Sequence, residues 1–197
     1  RLMRTNLQFL LTGKKDKVIL LTSSVSGEGK SFVSVNLSIS LSLLKKRTII
    51  IGLDIRNPQL AEYMNLKAKL GMTNYLASED ISIDDIIIPS NINSQLDVIV
   101  AGPIPPNPAE LLLNQRLDDL FNQLRERYDY IIIDCPPSLG MLTVNAMTAA
   151  NGVVIPMQCE FFALEGLSQL MATVRQVKRL YNPTLELEGI VLTMYDG

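Results

Sequence analysis

At 197 residues the chain is long enough for one α/β core that buries roughly 70% of its unfolded surface, and short for two such cores. Lys and Arg number 18 against 20 Asp and Glu, and the resulting net charge of −2 supplies no global attraction to nucleic acid or to an acidic membrane. No His is present, which excludes a Ser-His-Asp triad, a Cys-His dyad and His-rich zinc sites. The two cysteines, Cys135 and Cys159, form no CxxC pair, which points to a reducing compartment.

The chain starts with "RLMRTNLQFLL", which lacks the layout of a signal peptide, and no apolar run reaches the roughly 18 residues of a membrane span. The chain therefore reads as soluble. Six short β-branched runs follow in order, at 17–22, 47–53, 96–102, 128–134, 152–157 and 187–194, each continuous enough in apolarity for a buried parallel strand. Helical spacing is clearest at 31–46, 114–127, 141–150 and 163–180. This alternation predicts a single α/β domain over 1–197, a doubly wound and mostly parallel sheet. Ligands in such a sheet sit beyond the carboxyl ends of the strands, so the residues that end each run carry the chemistry.

After the first run comes "TSSVSGEGKS", residues 22–31. A strand, a turn with Gly27 and Gly29, and a helix opening on Lys30 and Ser31 form the layout of a phosphate-binding loop. The glycines let backbone amides curl around an anion at the positive end of the helix. Lys30 reaches the outer phosphates and the Ser31 hydroxyl ligates Mg²⁺. Ser26, Glu28 and Phe32 complete the expected nucleotide-contacting stretch. Ser24 stands where the strict pattern GxxxxGK[ST] has its first glycine.

The second run ends in "GLDIRNP". Asp54 is placed to meet Mg²⁺ or the attacking group, with Arg56 two residues on and on the same side if strand geometry persists. The third run leads into "AGPIPPNPAELL", a proline-rich loop over the strand ends in which Pro108 opens a helix. The fourth, "YIIIDCPP", ends in Asp134, a carboxylate at a strand end of the kind that holds a metal-bound water. The expected catalytic set is Lys30, Asp54 and Asp134, and the expected metal set is Ser31, Asp54 and Asp134. The basic clusters "GKKDK" and "KKR" read as solvated ends and not as a nucleic-acid patch.

The phosphate loop ending in "GEGKS", the motif "GLDIRNP" and the loop "AGPIPPNPAELL" resemble the cytoplasmic domain of bacterial tyrosine kinases, the BY-kinases that work with polysaccharide chain-length regulators, over about residues 1–134. "RLMRTNLQFL" resembles that family's oligomerisation helix over 1–16, with Arg1 and Arg4 in its two arginine places and its glutamate absent. From "DCPPS" onward the chain resembles partitioning ATPases of the ParA/Soj type, which share the deviant phosphate loop and the fold. The two resemblances meet near 128–138, which suggests a chimera or a divergent natural chain. The resemblances imply ATP·Mg²⁺ binding and phosphoryl transfer. The first implies a tyrosine autokinase core in which Asp54 orients or deprotonates a tyrosine hydroxyl and Arg56 serves the site or a neighbour, with ATP/ADP, a homo-oligomer and a membrane adaptor protein as partners. The second implies an ATPase whose nucleotide state switches partner or DNA binding, and the third alternative is a chimera that binds nucleotide with neither activity. A cytoplasmic location, at the inner face of the membrane if an adaptor is present, follows from the first. The chain departs from both families. Val25 occupies the place of the partitioning ATPases' signature lysine, Gly52 replaces the first aspartate of the kinases' second acidic motif, Asn145 stands where the kinases have Asp, and the six tyrosines are scattered.

Overall fold

The computed structural model describes residues 17–104, 116–137, 140–159 and 161–194. The segment 1–16 with Arg1 and Arg4, and the helix opening at Pro108, lie outside them. Chain order is β1 (Lys17–Leu21), α1 (Lys30–Ser42), β2 (Thr48–Gly52), α2 (Leu60–Tyr63), α3 (Met72–Ala77), β3 (Ile88–Pro89), β4 (Leu96–Ile99), α4 (Arg116–Arg127), β5 (Tyr130–Asp134), α5 (Met141–Ala149), β6 (Gly152–Gln158), α6 (Phe161–Leu180) and β7 (Glu186–Thr193). The strands form one seven-stranded sheet in the order β3-β4-β2-β5-β1-β6-β7. Every pairing is parallel except the two-residue β3 against β4.

The continuous apolar runs work as buried parallel strands because both faces of the sheet are covered. Val18, Leu20, Ile49, Ile51, Ile131 and Ile133 point to a core shared with α4, α5 and α6, through Phe121, Leu124, Met147 and Leu170 among others. Ile19, Leu21, Ile50 and Ile132 point to the opposite face, which packs on α1 through Val33, Leu37 and Leu41. Inside α1, the hydroxyls of Ser34 and Ser38 donate back to the carbonyls of Lys30 and Ser34, so these buried polar groups are satisfied within the helix.

The register aims the site. Asp134 is paired with Leu21 on one side and with Gly52 on the other, so the last residue of β5 lies between the ends of β1 and β2. Backbone bonds continue the alignment past the strands: the Cys135 amide donates to the Leu21 carbonyl and the Leu53 amide to the Asp134 carbonyl. The Cys135 thiol is fully buried, and burial holds its pKa well above the usual thiol value.

One strand departs from expectation. β7 is one of the two sheet edges and is largely exposed: Ile190 is 42% and Leu192 54% accessible. Continuous apolarity predicts a buried strand there, but among the described residues β7 has a strand neighbour, β6, on one side only. The helices α2 and α3 and strand β3 were not expected either, being too short to set up a periodicity.

Candidate phosphate-binding site

The loop between β1 and α1 turns through two left-handed glycines, Gly27 at φ 89° and Gly29 at φ 78°. Gly29 is the N-cap of α1, and a side chain at either position would be strained in this conformation. Among the described residues, no side chain caps the first amides of α1 and no acid lies in its first turn. Those amides and the positive helix end are therefore left to an anion.

Lys30 extends from this helix end to two carboxylates. Its Nζ donates to Asp134 Oδ1 at 3.0 Å and lies 3.6 Å from Asp54 Oδ2. The Ser31 hydroxyl donates to Asp134 Oδ2 at 2.7 Å, and the Ser34 hydroxyl approaches Oδ1 at 3.4 Å. Asp54 is fixed from its other side, where the Asn57 amide donates to Oδ1 at 3.0 Å. Lys30, Asp54 and Asp134 are all buried, at 8%, 8% and 2% accessibility. Two carboxylates against one ammonium leave an excess of negative charge in a site with little water to screen it.

That excess is what a divalent cation fits. Ser31, Asp54 and Asp134 supply hard oxygen donors, the type Mg²⁺ takes when substrate phosphates complete its shell. Among the described residues, no group of three or more His, Cys, Asp or Glu could cage a metal alone. A cavity of about 560 Å³ opens over this cluster, lined by Ser26, Gly27, Gly29, Lys30, Ser31 and Phe32, with Asp54 at its inner end. Seven of the expected site residues thus share one cavity, and Asp134 joins them through its bonds to Lys30 and Ser31.

Two expected residues stand elsewhere. Glu28 is 1% accessible and does not line the cavity; its Oε2 accepts from the Ser24 hydroxyl and the Val25 amide, both at 3.0 Å. It braces the loop from within, and its Oε1 has no hydrogen-bond partner among the described residues. Arg56 is exposed and does not line the cavity, because β2 ends at Gly52 and the backbone bends at Arg56 and Asn57, which breaks the alternation that aligned it with Asp54. Val25 is 45% accessible and places no cation on the loop's rim.

The loop is also held by two residues absent from the expected set. Gln158, at the end of β6, donates to the Gly27 carbonyl at 3.0 Å, and Thr193, at the end of β7, donates to the Glu28 carbonyl at 2.9 Å. Gln158 is the last residue of β6 and Thr193 the last of β7, so the rule that strand ends carry the chemistry reaches them once the strands are known. Asn57, Gln59 and Tyr63 line the cavity's far side, supplied by the turn into α2 and by α2 itself.

Comparison with known proteins places this site in a family. A model described as an AAA domain matches residues 16–187. The sporulation initiation inhibitor protein Soj of Bacillus subtilis (strain 168) is 42% identical over 191 residues, spanning 92% of this chain and 74% of Soj. The chain belongs to the Soj/ParA family. The chromosome partitioning protein ParA of Myxococcus xanthus (strain DK1622) is 40% identical over 187 residues, covering 92% of this chain and 66% of that relative. Less than a tenth of the chain is left unmatched by Soj, so this likeness crosses residues 128–138 and includes most of the first half, which carries the kinase resemblance. Among solved structures, the chimerical protein CapA2B2 has a TM-score of 0.86 at 26% identity, over 99% of this chain and 83% of that one. The kinase domain of VpsO gives 0.81 at 26% identity over 98% and 91%. Cobyrinic acid a,c-diamide synthase from Mycobacterium smegmatis, with bound ATP analog and magnesium, gives 0.82 at 26% identity over 92% and 76%. The fold is that of the MinD/ParA/BY-kinase type of P-loop protein, and the chain is a ParA-like P-loop nucleotide-binding domain. Among the described residues, no helix is long and apolar enough to cross a membrane.

Proposed function

We propose that the chain is a Soj/ParA-type ATPase that hydrolyses ATP with Mg²⁺ and whose nucleotide state switches binding to a partner. The observation that carries this reading is the buried Lys30–Asp134–Ser31 cluster at an uncapped helix end, in a chain that is 42% identical to Soj. The loop amides and Lys30 would bind the phosphates of ATP, with Ser31 and the carboxylates of Asp134 and Asp54 holding Mg²⁺, directly or through water. The metal supplies charge neutralisation on the phosphoryl oxygens. Asp54, its Oδ1 pinned by the Asn57 amide, presents Oδ2 to orient the attacking water and take its hydrogen bond. The water oxygen bonds to the γ-phosphorus, the bond to the β–γ bridging oxygen breaks, and the proton passes to solvent. Loose phosphoryl transfer needs such positioning more than covalent chemistry, which suits a site without His. In partitioning ATPases the signature lysine reaches across a nucleotide-sandwich dimer; Val25 in its place supplies no cation, and ATP is not expected to drive that dimer.

A second reading, transfer to tyrosine in the BY-kinase manner, draws support from the likeness to the VpsO kinase domain and from Tyr63 lining the same cavity as Asp54. The 42% identity to Soj, spread over 92% of the chain, favours the ATPase and needs no splice of two parents. Asp54→Asn tests the assignment of chemistry. ATP binding by calorimetry should persist while turnover falls about 10²- to 10⁴-fold; equal loss of binding and turnover would remove Asp54 from that role.

A further inference from the structure

Asp54 and Gln59 line two cavities, the nucleotide cavity and a second one of about 510 Å³. The second lies over the carboxyl ends of β2, β4 and β5, with Gly52, Ala101 and Asp134 at its floor and the segment 66–69 along its rim. Its cations are Lys67 and Lys69, both exposed, and neither forms an ion pair among the described residues. Its acids are the same Asp54 and Asp134 that meet Lys30.

We propose that this second cavity is the exit route and transient holding site for inorganic phosphate, bound by Lys67 and Lys69. The inference rests on the ATPase reading and adds to it where the product goes. In-line attack brings water to the γ-phosphorus from the side opposite the leaving diphosphate. That diphosphate stays on the glycine loop after cleavage and closes the route through the nucleotide cavity. The free phosphate is left beside Asp54, where the second cavity begins. Carboxylates at the floor and ammonium groups at the rim make a field that drives an anion outward, and the apolar walls of Leu60, Leu66 and Val100 screen it less than water does.

The test measures binding of labelled inorganic phosphate by equilibrium dialysis to the full chain saturated with ADP·Mg²⁺, for the wild type and for the double variant Lys67→Ala/Lys69→Ala. Calorimetry of ADP is run on both. The expected result is unchanged ADP affinity with phosphate binding weakened about tenfold, the scale of two exposed charge contacts. Equal phosphate binding by both proteins, or none by an ADP-loaded wild type, would overturn the exit site and leave the ATPase reading standing. Failure of the wild type to bind ADP would overturn both.

Discussion

The centre and the edge of this sheet have the same kind of sequence and opposite surroundings. β5 reads Tyr-Ile-Ile-Ile-Asp and β7 carries Gly-Ile-Val-Leu-Thr, yet Ile132 is 0% accessible while Leu192 is 54%. At the centre, strands on both sides and helices on both faces remove water, so the polar residues at the strand ends must satisfy one another. Lys30 therefore bridges Asp54 and Asp134, and the left-handed glycine turn is held in place by Glu28, Gln158 and Thr193. At the edge nothing forces such pairing. β7 contributes to the site only through its last residues, which the hydrogen bond from Thr193 ties to the loop. The chemistry of the molecule is concentrated where burial is most complete, because there a charge is expensive unless a partner or ligand meets it.

The largest effect should come from the buried charges. Lys30→Ala leaves two neighbouring carboxylates without their cation, and the loss of a partner from a buried ion pair typically costs about 3 to 5 kcal/mol. Urea denaturation of the ligand-free protein should register that loss, and calorimetry should find no nucleotide binding. A variant of wild-type stability would mean that the cluster is hydrated and the centre is not special. Hydrophobic truncation sharpens the same contrast at a smaller scale. Ile132→Ala should cost about 2 to 5 kcal/mol, and Leu192→Ala less than about 0.5 kcal/mol. Similar losses at the two positions would show that the edge is covered in solution and would break the comparison.

Much of this was legible in the sequence, for physical reasons that also mark where legibility stopped. Continuous apolar runs give the central strands, since a strand covered on both faces has no need of alternation, and the first polar residue after such a run has to emerge at the sheet's carboxyl edge. That logic finds Asp54 and Asp134, and the glycine turn that opens a helix finds Lys30 and Ser31. The same runs cannot distinguish β7 from β5, because burial depends on which strands and helices arrive as neighbours. Extending strand alternation past Gly52 aligned Arg56 with Asp54, but the pairing that maintains alternation ends there, and the exposed Arg56 is left to the other expected role, a contact with a neighbour. Glu28 looked like a ligand-facing residue because the sequence of a glycine loop does not record which way a side chain turns. Lys67 and Lys69 sit in no motif; only the fold sets them on the rim of a cavity that reaches Asp54. The kinase resemblance drew on loop phrases in the first half, whereas identity to Soj, counted over 92% of the chain, weighs the whole core.

The most direct measurement follows the γ-phosphoryl group itself. The protein is incubated with γ-labelled ATP and Mg²⁺, with and without a tyrosine-rich peptide, and label is counted separately in inorganic phosphate, in peptide and on the protein. A Soj/ParA-type ATPase releases the label as inorganic phosphate at a rate the peptide does not change, and Asp54→Asn slows that release about 10²- to 10⁴-fold. Label carried onto the peptide or onto the protein's own tyrosines, in preference to water, would contradict the account and assign the site to tyrosine phosphorylation.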